Sequence, residues 1–337
     1  YGVNGQETTG PGGMAYGLRS IPAILQIIDW MEEYSPNAWM INYSNTIAIV
    51  AEACRRLRPN AKVINICDMP IDDMDRMAAI CGLDSWHDID FNYYGLNHFG
   101  WWKEVRNKKT GEDLMPKLKE YVKEHGYWVG GDYDKDTEAS WEATFKKVAD
   151  EYKLEPETLP NNYMQYYYFP QYEVANADPK HTRTDEIREH RQKIVFGECE
   201  RIVKVGTAKN NIWDISGLHS EYIVDICHAI AFNTHEKFLA NCANNGAISN
   251  MDPDSIVEVP ALFGADGIQP MATGKAGRFQ RGLMMEQQTC EKLVVDAYVE
   301  HSYNKMLQAF ALNKTVPDAS VAKKILDDMI PVNAPYW

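Results

Sequence analysis

Residues 62–70 read KVINICDMP. Val63, Ile64 and Ile66, set around Asn65, are residue types that favour an extended strand. Cys67 and Asp68 follow side by side, and Pro70 closes the segment. A thiol and a carboxylate at the carboxyl end of a strand stand where open α/β sheets keep their ligands. The neighbouring segments make this strand one of a series. Before it, LRSIPAILQIIDWMEEY (18–34) has apolar residues at helical spacing and AWMINYS (38–44) is a short apolar strand. TIAIVAEACRRLR (46–58) returns to the helical period, with Asn45 as its expected N-cap. After it, IDDMDRMAAICG (71–82) predicts a helix that ends at Gly82. Helix, strand, helix, strand, helix over residues 17–82 predicts a βαβ unit and a parallel sheet.

Past about residue 90 the texture changes. DIDFNYYGLNH (88–98), GWWKEVRN (100–107) and SIVEVPALF (255–263) predict strands. Residues 112–152 predict charged helix, with KKVADEYK (146–153) on a solvated face. Longer helical patterns run over residues 184–205, 218–242 and 280–312. The fold class is therefore α/β, with a soft boundary between residues 1–90 and 91–337.

Composition narrows the function. The chain has 337 residues, 45% of them apolar, and a formal net charge of −14. That charge argues against nucleic acid and against an anionic membrane surface as partners. No apolar run reaches the ~18 residues a membrane-crossing helix requires, and no signal peptide pattern opens the chain. Seven cysteines, widely spaced and without a CxxC pair, give neither a zinc ribbon nor a dithiol redox motif. They fit reduced thiols in a cytoplasmic protein. The cluster GPGG (10–13) follows no strand and reads as a plain loop rather than a phosphate cradle.

The motifs GQETTGPGG, INYSN, NICDMP, YGLNHFGWW, NNYMQYYYFP and IVEVPALFGADGIQP occur in that order from residue 5 to residue 270. Together they resemble glycoside hydrolase family 4, the NAD- and manganese-dependent glycosidases, and within it the 6-phospho-α-glucosidase branch. The resemblance implies a partial Rossmann-like parallel sheet over residues 1–90. It implies a mixed α+β domain of the lactate/malate dehydrogenase-like type over 91–337. Family members carry a Rossmann strand and a Gly-rich loop ahead of the position that Tyr1 matches. The expectation is thus that this chain holds only the later half of an NAD-binding domain.

By the same resemblance, Cys67 and His98 are metal ligands, Asp68 is the general acid and Tyr163 the base. Asn45 sits where substrate meets nicotinamide, Glu7 lines the sugar site, and Arg183 in HTRTDE holds the sugar 6-phosphate. Thr46 departs from the family, where proline often follows that asparagine. Taken alone, Cys67 reads as a small buried hydrophobe and His98 as a hydrogen-bonded structural histidine. Asp68 alone could equally be a metal ligand, and Tyr166, Tyr167 and Tyr168 read as core packing. Donor type by itself would suggest zinc; manganese comes from the resemblance.

The chemistry such a set would serve is an elimination. Most glycosidases flank the anomeric carbon with two carboxylates, and NAD-dependent family 4 members are an exception. Hydride leaves the sugar C3, which acidifies the proton on C2. A base removes that proton, and an acid protonates the departing glycosidic oxygen. Water adds and hydride returns. The implied substrate is a phosphorylated α-linked disaccharide such as maltose 6'-phosphate, and the implied assembly a homodimer or homotetramer. Three rival readings stand beside it. They are a family 4 α-galactosidase or α-galacturonidase on unphosphorylated sugar, a 2-hydroxy-acid dehydrogenase, and an inactive or merely metal-binding fragment.

Overall fold

The short strand at residues 63–65 is the second of eight in one mixed sheet among the described residues. The computed structural model describes residues 1–135, 137–206 and 217–336, with the side chains of Arg183, His190 and His219 outside that description. The strands are β1 (Met40–Asn42), β2 (Val63–Asn65), β3 (Ile89–Leu96), β4 (Phe99–Asn107), β5 (Leu159–Pro160), β6 (Glu236–Ala243), β7 (Ile256–Gly264) and β8 (Gly267–Pro270). They lie in the order β1-β2-β6-β7-β3-β4-β5, with β8 on the flank of β7. β1 and β2 are parallel, in register at Ile41↔Ile64. Helix Ile47–Leu57 crosses between them, as the βαβ pattern predicts. β6 then pairs antiparallel with β2 at Asn65↔Asn241, and the antiparallel pairing continues through β7, β3, β4 and β5. Segments from both sides of residue 90 thus share one sheet.

Two large apolar clusters flank this framework. One joins helices Met69–Cys81, Met115–His125, Ala139–Leu154 and Gly217–Phe232 through Met74, Leu118, Val148 and Ile226 to Trp102 and Phe238 of the sheet. The other joins helices Pro11–Tyr34, Ile47–Leu57, Arg278–Glu300, Tyr303–Leu312 and Ala319–Asn333 through Met14, Ile49, Val294, Phe310 and Leu326.

Five local expectations change. GPGG is the start of helix Pro11–Tyr34, with Pro11 in its first turn. The backbone of residues 5–8 folds onto that turn: Gly12 N–H donates to the Gly5 carbonyl at 2.8 Å, and a Cβ on Gly13 would lie 2.4 Å from the Thr8 carbonyl carbon. The glycines permit that approach. The pattern over 218–242 splits into helix Gly217–Phe232 and strand β6, because Asn233 and His235 adopt positive φ and turn the chain. The pattern over 280–312 splits at His301, φ 50°, with the Ser302 hydroxyl accepting from the Lys305 N–H to restart the helix. Asn45 does not cap helix Ile47–Leu57; Thr46 occupies that position. The helix at 139–154 is also only partly solvated, since Val148 and Glu151 are buried within it.

Glu291 lies buried in the helical cluster, accepting one hydrogen bond from Gln287 Nε2 at 3.0 Å. Burial pushes its carboxyl up to about 8. A carboxyl raised in the folded state contributes stability below its unfolded value and loses it as pH rises through the folded one. Replacing it with glutamine keeps the acceptor and removes the charge. Glu291→Gln should therefore be more stable than the parent by about 4 kcal/mol at pH 8 but only about 1 kcal/mol at pH 5, read from urea unfolding at both pH values.

Candidate active site

The site forms at the carboxyl end of β2, beside the β3–β4 turn. Ile66 N–H donates to the Asn42 carbonyl at 3.0 Å, carrying the β1–β2 pairing one residue past the strand. Cys67 follows, buried, and Asp68 stands at the N-cap position of helix Met69–Cys81. The Asp68 side chain makes no capping hydrogen bond, so it is directed to other partners. One is Tyr43, just past β1, whose O–H donates to it. Asp68 is half-buried.

Burial pushes the Cys67 thiol well up, and the neighbouring Glu258 and Asp68 carboxyls add to the rise. The Met69 N–H and the Asn97 side chain oppose it by donating to the sulfur. His98 sits in the turn between β3 and β4 at φ 58°, a left-handed conformation a non-glycine residue adopts at a cost. Burial takes its imidazole down to about 4, with Asp68 opposing. At neutral pH the ring is uncharged, and Nδ1 is buried without a hydrogen-bond partner among the described residues.

Tyr163 lies in the short turn Asn162–Met164, held by Asn161 Oδ1 accepting the Tyr163 N–H at 3.0 Å. Its ring stacks on His98, centroids 4.2 Å apart and planes 29° off parallel. It also packs on the small apolar cluster of Ile47, Cys67 and Met69. Burial pushes its phenol well up, with Cys67, Tyr166, Asp68 and Glu7 adding to the rise. Glu7, exposed, accepts a hydrogen bond from Asn45 Nδ2 at 3.3 Å.

The residues picked out by sequence thus fall into one neighbourhood, with one exception. Cys67, Asp68, His98 and Tyr163 act on one another, and Glu7 extends the set toward Asn45. The side chain of Arg183 lies outside the described residues; its backbone belongs to the short helix Arg183–Glu186. Tyr167 packs in the core, with Tyr166 and Tyr168 against it. Tyr43 was missed. Because β1 and β2 are parallel neighbours with Asn42 opposite Asn65, the residues within three positions beyond the two strands also lie near each other. That signal could have placed Tyr43 beside Asp68.

A thiol, a neutral imidazole, a carboxyl and a phenol brought together are groups that acid–base chemistry and metal ligation use. The family model for family 4 glycosyl hydrolases matches residues 1–83, and that for the family 4 C-terminal domain matches residues 93–316. The chain belongs to glycoside hydrolase family 4. It is 60% identical, over 337 residues, to 6-phospho-alpha-glucosidase 1 of Lacticaseibacillus paracasei, covering all of this chain and 76% of that protein. It superimposes on a 6-phospho-alpha-glucosidase from gut microorganisms solved with NAD and Mn2+, with a TM-score of 0.92 and 42% identity over 99% of this chain and 75% of that one. The structure of a 6-phospho-alpha-glucosidase from gut microorganisms with NAD and glucose-6-phosphate matches with a TM-score of 0.94 and 41% identity, over 99% of this chain and 76% of that one.

The donors here fit a divalent cation in part. A neutral imidazole with an unpartnered nitrogen and a buried thiol are both ligand groups. Among the described residues no three His, Cys, Asp or Glu side chains group to hold a metal ion. Removing the Tyr43 hydroxyl takes one donor from Asp68 and leaves the ring. Tyr43→Phe should lower kcat on a 6-phospho-α-glucoside by about fivefold, the worth of one ordinary hydrogen bond to the protonated carboxyl, with the thermal midpoint unchanged within about 2 °C.

Proposed function

We propose that this family 4 enzyme hydrolyses 6-phospho-α-glucosides such as maltose 6'-phosphate. The observation that carries the reading is the convergence of Tyr163, stacked on His98, with Cys67 and Asp68. The relatives named above act on, or are solved with, phosphorylated sugar, NAD and Mn2+. We read the same cofactors onto this chain. Cys67 and His98 would hold a divalent cation, and Asn45 at the half-buried rim would face the nicotinamide. When bound, NAD accepts and returns hydride at the sugar C3, and the cation polarises the C2 and C3 oxygens.

The chain's own residues supply the rest. Tyr163 takes the C2 proton. The groups around its phenol favour the protonated form, so a working phenolate requires positive charge nearby; we assign that to the bound cation and to Arg183. Asp68 delivers a proton to the glycosidic oxygen, and the Tyr43 hydroxyl fixes the orientation of that carboxyl. Glu7, held by Asn45, binds a sugar hydroxyl. Arg183 binds the 6-phosphate, which gives a chain of net charge −14 its local preference for an anionic substrate.

We further read the chain as cytoplasmic and as a homodimer or homotetramer. No described helix is long and apolar enough to cross a membrane, and the seven cysteines are free. Phe196, Val203 and Phe232 are exposed on helices Gln192–Val205 and Gly217–Phe232, which suits an interface between subunits.

The test is turnover of maltose 6'-phosphate in D2O with NAD and Mn2+. Glucose 6-phosphate carrying deuterium at C2, with no net NADH, is expected. Product without C2 deuterium would exclude the elimination, and equal rates on maltose would exclude the phosphate requirement. Arg183→Ala should raise KM for the phosphorylated substrate by at least about tenfold, as loss of a charged phosphate contact predicts. It should leave KM for unphosphorylated maltose unchanged, while kcat falls on both substrates because a positive charge beside Tyr163 is lost.

A further inference from the structure

One fully buried carboxylate near the site has no part in the chemistry above. Glu258 is the third residue of β7, 0% exposed. A lone buried carboxyl is costly, yet this one has three hydrogen bonds. Its Oε1 accepts from Asn241 Nδ2 at 2.9 Å and from Asn97 Nδ2 at 3.3 Å, and its Oε2 accepts from the Tyr93 hydroxyl at 3.2 Å. Tyr93 and Asn97 are 0% exposed and Asn241 is 1%, so no bulk water can stand in for a lost partner.

Strand register explains why these groups meet. Asn42 pairs with Asn65, Asn65 with Asn241, Asn241 with Glu258, and Glu258 with Gly95. A row of polar residues therefore crosses β1, β2, β6 and β7, and Asn42 Nδ2 donates to Asn65 Oδ1 at 2.8 Å within it. The row ends at Gly95, where a side chain is barred: a Cβ there would lie 2.3 Å from the Gly100 Cα. The Glu258 carboxyl instead reaches Tyr93 and Asn97, two residues either side of Gly95. Cys67 lies two residues beyond Asn65 in the same row's strand.

Asn97 has two amide hydrogens. One goes to Glu258; the same side chain also donates to the Cys67 sulfur. Asn97 is joined in sequence to His98. Fixing this one amide therefore restrains both the thiol and the turn that aims the imidazole.

We propose that Glu258 is a positioning residue: by anchoring Asn97 it holds the Cys67 sulfur and the His98 turn in the arrangement that receives a divalent cation. This rests on the reading of Cys67 and His98 as metal ligands. Residues that orient metal ligands typically change affinity by about 10- to 100-fold when removed.

The test is titration of the full chain with Mn2+ alone, following free Mn2+ by electron paramagnetic resonance. Far-UV circular dichroism and thermal midpoints are recorded for every variant. Asn97→Ala and Glu258→Ala should raise the Mn2+ dissociation constant at least about tenfold. Glu258→Gln keeps an acceptor for both asparagines and can turn its amide toward the Tyr93 oxygen, so it should stay within about threefold of the parent. Tyr93→Phe removes only the bond to Oε2 and should lower the thermal midpoint with Mn2+ affinity again within about threefold. Asn97→Ala carries the decision if Glu258→Ala does not fold. Parent-like affinity in Asn97→Ala overturns the inference, as does an equal loss in Tyr93→Phe, which would mean general loosening of the core. Parent-like affinity in Cys67→Ser overturns the metal assignment itself, and the inference with it.

Discussion

The antiparallel seating of β6 on β2, in register at Asn65↔Asn241, is the constraint on which the site depends. A βαβ unit alone would leave the end of β2 open to solvent. With β6 and β7 laid beside it, the strand carrying Cys67 is brought to within two strands of the hairpin that carries His98. The two residues are 31 positions apart in sequence, yet they share one cleft because segments beyond residue 236 fill the gap between them. A sheet resists sliding: a shift of one residue would turn each side chain to the opposite face. The polar row of Asn42, Asn65, Asn241 and Glu258 could not survive such a shift among the apolar residues around it.

The electrostatic state of the cleft follows from burial more than from charge pairing. His98 is held neutral, while the Cys67 thiol and the Tyr163 phenol are both held toward their protonated forms. Low polarity penalises every ionised group in the pocket. Such a cleft is poised to respond strongly to a cation, because one positive charge in a poorly solvated space lowers the pKa of each acid facing it. The protein's own groups thus hold the Tyr163 phenol protonated, and a phenol in that state would serve as a base only with positive charge beside it.

Much of this was legible from residues alone. The βαβ unit followed from helical and strand periods over 17–82, because a crossover helix demands both. Gly82 marked the helix end, and strands β3, β4 and β7 matched their apolar runs. Periodicity failed where one apolar pattern spanned two elements. Over 218–242, the helix-to-strand change depends on positive φ at Asn233 and His235, which no apolar period records. The GPGG segment looked like a loop because its glycines are used for close backbone packing, and packing partners are not written locally.

What the sequence by itself determined was the inventory: a Cys-Asp pair at a strand end, a histidine between two strands, and a tyrosine among aromatic neighbours, in an order that resembles family 4. Those are local facts of residue type and spacing. Only the tertiary structure decided that Tyr163 stacks on His98, that Tyr43 bonds to Asp68, and that Glu258 reaches the turn of Asn97 and His98. Each of these joins strands or turns distant in the chain, and the physical reason is register. Hydrogen bonding between strands sets which side chains stand side by side, and local propensity carries no record of that pairing.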